Sequence, residues 1–204
     1  MTQTLHLYRP VGLKEMELIL AKDGQAFPPR LAHQPIFYPV LTLSYAEQIA
    51  RDWNTQDDAS EYAGFVTQFE IDSLYGDSFE VKTVGAREHQ ELWVPAEQLD
   101  EFNQHLTTRI TLQAAFYGSR FKGARHYQNP EVGAIAQLGR LGQLEADNMA
   151  FIAELQHNWR AILLNYPYWV KHLSDQRSLL AHIARVWPTL FPELLLLATD
   201  GVNP

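Results

Sequence analysis

Tyr62-Ala63-Gly64-Phe65-Val66-Thr67-Gln68-Phe69-Glu70-Ile71 decides the fold. Phe65, Thr67, Phe69 and Ile71 recur every second residue, the period of a strand and not of a helix. Similar short runs lie on either side. Leu5-His6-Leu7-Tyr8 reads as a strand that Pro10 should end, since proline brings no amide hydrogen to a ladder. Phe79 to Val84 alternates cleanly and Gly85 breaks it. Glu91-Leu92-Trp93-Val94 and Thr108 to Phe116 read as two more.

Helices come between them. Leu13, Met16, Leu18 and Leu20 are apolar among charges, which predicts about two turns, stopped by Asp23-Gly24. Ser44-Tyr45-Ala46-Glu47 has the form of a capping box, opening a helix to about Trp53. Pro95 suits the first turn of a helix through Phe102, whose acidic start complements the dipole. Ala26 to Pro35 holds three prolines and reads as a stiff, partly extended loop. Ile36 to Leu41 is a short strand that Pro39 assigns to an edge or a bend. The expectation for residues 1–117 is an α+β unit: about six short strands in a small mixed or antiparallel sheet, with two or three short helices.

Near residue 116 the period changes. Met149, Ile152, Leu155, Trp159, Ile162, Leu163 and Tyr166 fall at helical spacing, predicting one long helix from Leu144 that Pro167 ends. Ser174 should cap a second helix that Pro188 closes, and Thr189 to Ala198 should form a short third. Residues 118–204 are therefore read as a helical C-terminal region packed on the first unit. Trp159, Trp169, Trp187 and the Leu194 to Leu197 run exceed what three short helices can bury. The surplus should face the first unit or a second copy, so a homodimer through these helices is the other expectation.

Charge changes at the same boundary. Residues 1–115 carry 8 Lys+Arg against 17 Asp+Glu, and residues 116–204 carry 8 against 7. The whole chain of 204 residues has a net charge of −8. That argues against an extended nucleic-acid surface and leaves a basic protein as a fitting partner for the acidic half. The absence of cysteine removes thiolate metal sites and cysteine nucleophiles. No run is long and apolar enough for a membrane span and no secretory leader is legible, so a soluble, cytoplasmic protein is expected.

Motif chemistry is sparse. There is no phosphate loop, dinucleotide glycine fingerprint, His-Glu-x-x-His or Gly-x-Ser-x-Gly. Glu154-x-x-His157 is half of a two-metal carboxylate motif with no second half, and Asp57-Asp58 is an acidic pair without a partner cluster. No metal is expected. Arg120, Lys122 and Arg125 interleave with Tyr117, Phe121 and Tyr127, a pattern that could hold a phosphate or a nucleotide; an ordinary linker is the plainer reading.

One constellation remains. Tyr8-Arg9 ends the first strand, Phe37-Tyr38 lies on a second, and Glu91 begins a late one, with Glu88 just before it. Arginine can clamp a pyrophosphate, tyrosine can stack on a nicotinamide ring, and a carboxylate can hold ribose hydroxyls and steady an oxocarbenium-like transition state. The plainer reading is a structural ion pair between Arg9 and Glu91.

Leu7-Tyr8-Arg9-Pro10-Val11-Gly12-Leu13-Lys14-Glu15, Phe27-Pro28-Pro29-Arg30-Leu31, Gln34 to Leu41, Tyr45 to Asn54 and Gln90 to Glu97 resemble an uncharacterised bacterial family that carries the label "ADP-ribosylation/crystallin J1". The resemblance covers residues 5–112. The crystallin half of the label implies an all-helical hydrolase with two magnesium ions, and this chain is too strand-rich for it. The other half implies an ADP-ribosyltransferase-like split α+β unit that uses NAD as substrate and passes ADP-ribose to an acceptor. On that resemblance Arg9, Tyr38 and Glu91 are the catalytic candidates, and Tyr8, Arg9, Phe37 and Tyr38 the NAD-binding ones. The Ser-Thr-Ser or tyrosine-rich middle motif of such enzymes has no counterpart. The alternative is a non-enzymatic protein-binding module, an inhibitor or adaptor, working through its acidic first half.

Overall fold

The computed structural model describes residues 3–197 and has an α+β fold. The chain divides into two compact units, the first ending at Ser119 and the second beginning at Arg120. Strands β1 (Thr4–Val11), β2 (Ile36–Phe37), β3 (Ala63–Asp72), β4 (Glu80–Thr83), β5 (Gln90–Pro95) and β6 (Thr111–Tyr117) all lie in the first unit. So do helices α1 (Leu13–Ala21), α2 (Leu43–Asp52), α3 (Ser73–Gly76) and α4 (Leu99–Gln104). The helices number one more than the upper expectation.

Two three-stranded antiparallel sheets are present, in the orders β1-β3-β6 and β2-β5-β4. They meet at Val40, which exchanges both backbone hydrogen bonds with Tyr8 and also opposes Glu91. Two prolines keep the link to a single residue: Pro10, whose nitrogen faces this segment, and Pro39, whose nitrogen faces β5, bring no amide hydrogens, so regular pairing lapses beside Val40. β2 is an edge strand of its sheet and ends before Pro39, as expected, and the segment lies between two strands at Val40 alone.

Opposed residues of an antiparallel ladder share a face. One face of the first sheet carries Leu7, Arg9 and Val11 beside Phe69, Thr67 and Phe65. Phe27, Phe37, Phe69 and Phe102 meet edge to face or tilted at centroid distances of 4.8 to 6.2 Å. The other face carries Tyr8, Val40, Val66 and Ala114, covered by Tyr45, Ala46 and Ala50 of α2. Gly64 is what lets α2 come close: a Cβ there would collide with the Ala50 carbonyl. With both faces covered, Ala63 to Thr67 are buried without alternation, and alternation returns at Gln68.

Several boundaries differ from the sequence expectation. β1 runs through Pro10 to Val11, because Tyr8 aims its amide away from β3 and Pro10, two residues on, points its nitrogen the same way. The cap of α2 is Thr42, whose side chain accepts from Tyr45 N, and not Ser44. The last strand begins at Thr111 rather than Thr108.

The second unit holds α5 (Ala134–Leu144), α6 (Asn148–His157), α7 (Trp159–His172) and α8 (Arg177–Leu190). The single long helix expected from Leu144 is two helices, parted at Asn158, whose carboxamide oxygen accepts from Tyr127 N. Pro167 lies inside α7 and Pro188 inside α8 instead of ending them. Residues 191–197 form a turn and irregular chain in place of the third helix expected over Thr189 to Ala198, with Ala198 outside the described residues. Trp169 and Trp187 are buried, and their indole nitrogens donate to Ala134 O and Leu194 O of the same unit. No helix among the described residues is long and apolar enough to cross a membrane.

Candidate functional site

Past the Tyr8–Val40 link backbone pairing between β1 and the 36–41 segment lapses, and the Arg9 side chain takes its place, reaching the Tyr38 carbonyl. Its Nε donates to Glu15 Oε1 at 2.9 Å, and its terminal nitrogens reach Glu15 Oε2 and Tyr38 O, both at 3.4 Å. Its guanidinium carbon lies 4.5 Å from the Phe37 ring centre and 5.5 Å from that of Tyr38. Arg9 is buried, whereas Tyr38 is 41% exposed. Glu15 holds this position because Gly12 starts α1 directly after β1, which brings the first turn of the helix back over the strand end.

Arg30 joins the same carboxylate, with a terminal nitrogen 3.7 Å from Glu15 Oε2. Burial, and secondarily the Arg9 charge, push its pKa below the ordinary arginine value, while Glu15 and Tyr38 oppose this. The loop that carries it is anchored where Asn103 of α4 clamps Phe27, accepting from its N–H at 2.8 Å and donating to its carbonyl at 3.1 Å. Glu15 and Arg30 stand in the quoted motifs, but no spacing pairs them with Arg9. The usable signal was Pro28-Pro29 directly before an arginine, a rigid mount for a long cationic side chain.

Glu91 stands apart from Arg9. The Tyr8–Val40–Glu91 alignment sets Tyr8 and Glu91 on the α2 face of the sheet, and Arg9, the next residue along β1, starts from the opposite face. Glu91 Oε1 accepts from Tyr45 Oη at 3.0 Å and Oε2 from Trp93 Nε1 at 2.9 Å. Tyr45 stacks on His89 at 4.2 Å. Burial, then the Glu91 hydrogen bond and charge, push the Tyr45 phenol up to about 12. The ion pair expected as the plain reading is therefore made by Arg9 with Glu15. Of the nominated residues, Arg9, Phe37 and Tyr38 come together; Tyr8 and Glu91 belong to the α2 side.

The remaining candidates have structural partners. Asp57 accepts from Ala59 N, Ser60 N and Ser60 Oγ, and Asp58 from Tyr62 Oη, so both carboxylates hold their own loop. Glu88 contributes its backbone carbonyl, which accepts from Thr42 Oγ1. Glu154 is bonded to His126 Nε2 at 2.8 Å and Arg140 Nε at 2.9 Å, rather than working with His157. His126 Nδ1 accepts from the amides of Gln128 and Asn129, which leaves Nε2 to carry the proton toward Glu154. Among the described residues no group of three or more His, Asp or Glu could hold a metal ion. In the second unit a cavity of about 490 Å³ lies beside the start of α5, walled by Phe121, Lys122, Glu131, Ile135 and Tyr168. Phe121 and Lys122 belong to the basic-aromatic stretch read from the sequence.

No family model, curated protein or solved structure matches this chain. The family resemblance therefore rests on its sequence motifs alone.

Proposed function

We propose that the first unit is an ADP-ribosyltransferase-like module that binds NAD or a related phosphate-bearing nucleotide at the cluster of Arg9, Arg30, Phe37 and Tyr38. The observation that carries this reading is the sharing of one carboxylate, Glu15, by two arginines. Two fixed cations against one anion favour a bound oxyanion, and the partly exposed Tyr38 ring beside them offers a stacking surface. The reading is of binding rather than of transfer. A catalytic role for Glu91 would need its carboxylate free, and both its oxygens accept from Tyr45 and Trp93.

Calorimetry of the full chain with NAD, ADP-ribose and nicotinamide tests it. Heat with the first two and none with nicotinamide is expected, because the cations address the pyrophosphate. No heat with any of the three up to millimolar concentration overturns it.

The second reading, a non-enzymatic adaptor, draws on the same loop. Leu31 is 60% exposed next to Arg30, an apolar side chain presented on a proline-stiffened segment of an acidic unit. A protein partner recovered from lysate at low salt and lost at high salt, together with no nucleotide heat, would favour it.

A further inference from the structure

Arg9, the arginine that the sequence singles out, has each of its guanidinium nitrogens engaged by Glu15 or by the Tyr38 carbonyl. Arg30 differs. Its contact with Glu15, at 3.7 Å, is an ion pair beyond hydrogen-bond length. Its side chain is only 8% exposed, yet its Nε is sealed from solvent with no partner. A buried donor left unmade is costly, and a charged one more so. Native structures keep such a group where something else completes it.

The mount is equally specific. Pro28 and Pro29 fix φ on the approach to Arg30, Pro35 stiffens the exit, and the Asn103 clamp on Phe27 anchors the near end. Little ordering entropy is left for a ligand to supply. Glu15 neutralises one of the two guanidinium groups, which leaves one positive charge in the cluster. A guanidinium fork matches two oxygens of a phosphate, and a tetrahedral phosphoryl group has a further oxygen to spare for a neighbour.

We propose that Arg30 is the ligand-contacting cation of this site, receiving a phosphate or pyrophosphate oxyanion, and that Arg9, locked by Glu15, is a positioning residue. The assignment rests on the reading of this cluster as a site for a phosphate-bearing ligand. It adds which residue touches the ligand and what Glu15 does: the carboxylate competes with the ligand for Arg30.

The test titrates the full chain with inorganic pyrophosphate and, separately, with NAD, using wild type, Arg30→Gln, Arg30→Lys and Glu15→Gln, each checked for folding by circular dichroism. Arg30→Gln should weaken both ligands by about tenfold or more, the loss of a charge-assisted pair. Arg30→Lys should recover part of that. Glu15→Gln should tighten pyrophosphate, which a merely structural Glu15 would not do, and this arm stands even if an Arg30 variant fails to fold. Pyrophosphate binding without NAD binding keeps the Arg30 assignment and removes the nucleotide reading. NAD binding that Arg30→Gln leaves unchanged removes the Arg30 assignment and keeps the nucleotide reading. Absence of heat with both ligands removes both readings.

Discussion

Tyr45 Oη donates to Glu91 Oε1 at 3.0 Å, on the face of the sheet that α2 covers. Tyr45→Phe leaves that oxygen without its donor in a buried place. The expected loss is about 1–3 kcal/mol of stability, measured by urea denaturation. A change within a few tenths would mean that water replaces the phenol.

The same pair sets an alkaline response. The Tyr45 phenol lies near 12 in the folded chain against 10 for an ordinary tyrosine. Its proton is held more tightly when folded, so this contribution is complete below pH 10 and is lost as pH rises through 12. Stability of the wild type should fall across pH 10 to 12, and Tyr45→Phe should flatten that slope. Chemical denaturation at stepped pH reads both. Equal slopes in the two proteins would assign the alkaline sensitivity to other groups.

Gly64→Ala should be among the most damaging single substitutions in the first unit. The added methyl meets the Ala50 carbonyl, a backbone atom of α2 with no soft way to yield. Overpacking of this kind costs about 1–3 kcal/mol, at the upper end where a backbone must move. A melting temperature unchanged from wild type would show that α2 shifts freely on the sheet.

In the second unit Asn165 is fully buried. It accepts from Ala124 N at 2.7 Å and donates to Gln137 Oε1 at 3.1 Å, tying the basic-aromatic stretch and α5 to α7. Asn165→Leu keeps the branching of the side chain and strands both partners, with an expected cost of about 2–4 kcal/mol for two unmet buried groups. Proteolysis should move to the 120–130 stretch in the variant. Unaltered cleavage and stability would show that another contact holds it.

Arg140 and His126 offer a contrast on one carboxylate. Both bond Glu154 Oε1, but the Arg140 side chain is 53% exposed and that of His126 only 4%. Arg140→Met should cost under about 1 kcal/mol, since water screens an exposed pair. His126→Phe should cost more, because it also strands the amides of Gln128 and Asn129. The reverse order in thermal melts would contradict this account.

The sequence carried the six strands because alternation is local, and β3 kept the predicted face of Phe65, Thr67, Phe69 and Ile71. It lost α5, where Gly139 and Gly142 interrupt the apolar pattern, and it missed the break at Asn158, because the apolar period runs on across it. Pro167 misled for a different reason: packing can hold a proline inside a helix that propensity would end. Arg9, Phe37 and Tyr38 were legible as neighbours of strand ends. Which face Glu91 takes depends on register across Val40, and the roles of Glu15 and Arg30 depend on contacts six and fifteen residues apart that no periodicity encodes.

Val40 has a consequence for how the first unit behaves as a material. The backbone hydrogen bonds that join β1 to the 36–41 segment are the two exchanged by Tyr8 and Val40, at 2.9 and 2.7 Å. The two sheets are thus welded at one spot, and beside that weld lies the buried Arg9 guanidinium. Amide exchange at Tyr8 and Val40 is therefore a built-in gauge of how often the two sheets separate. A molecule held between Arg30 and Tyr38 would register there as slowed exchange, before anything is known of its chemistry.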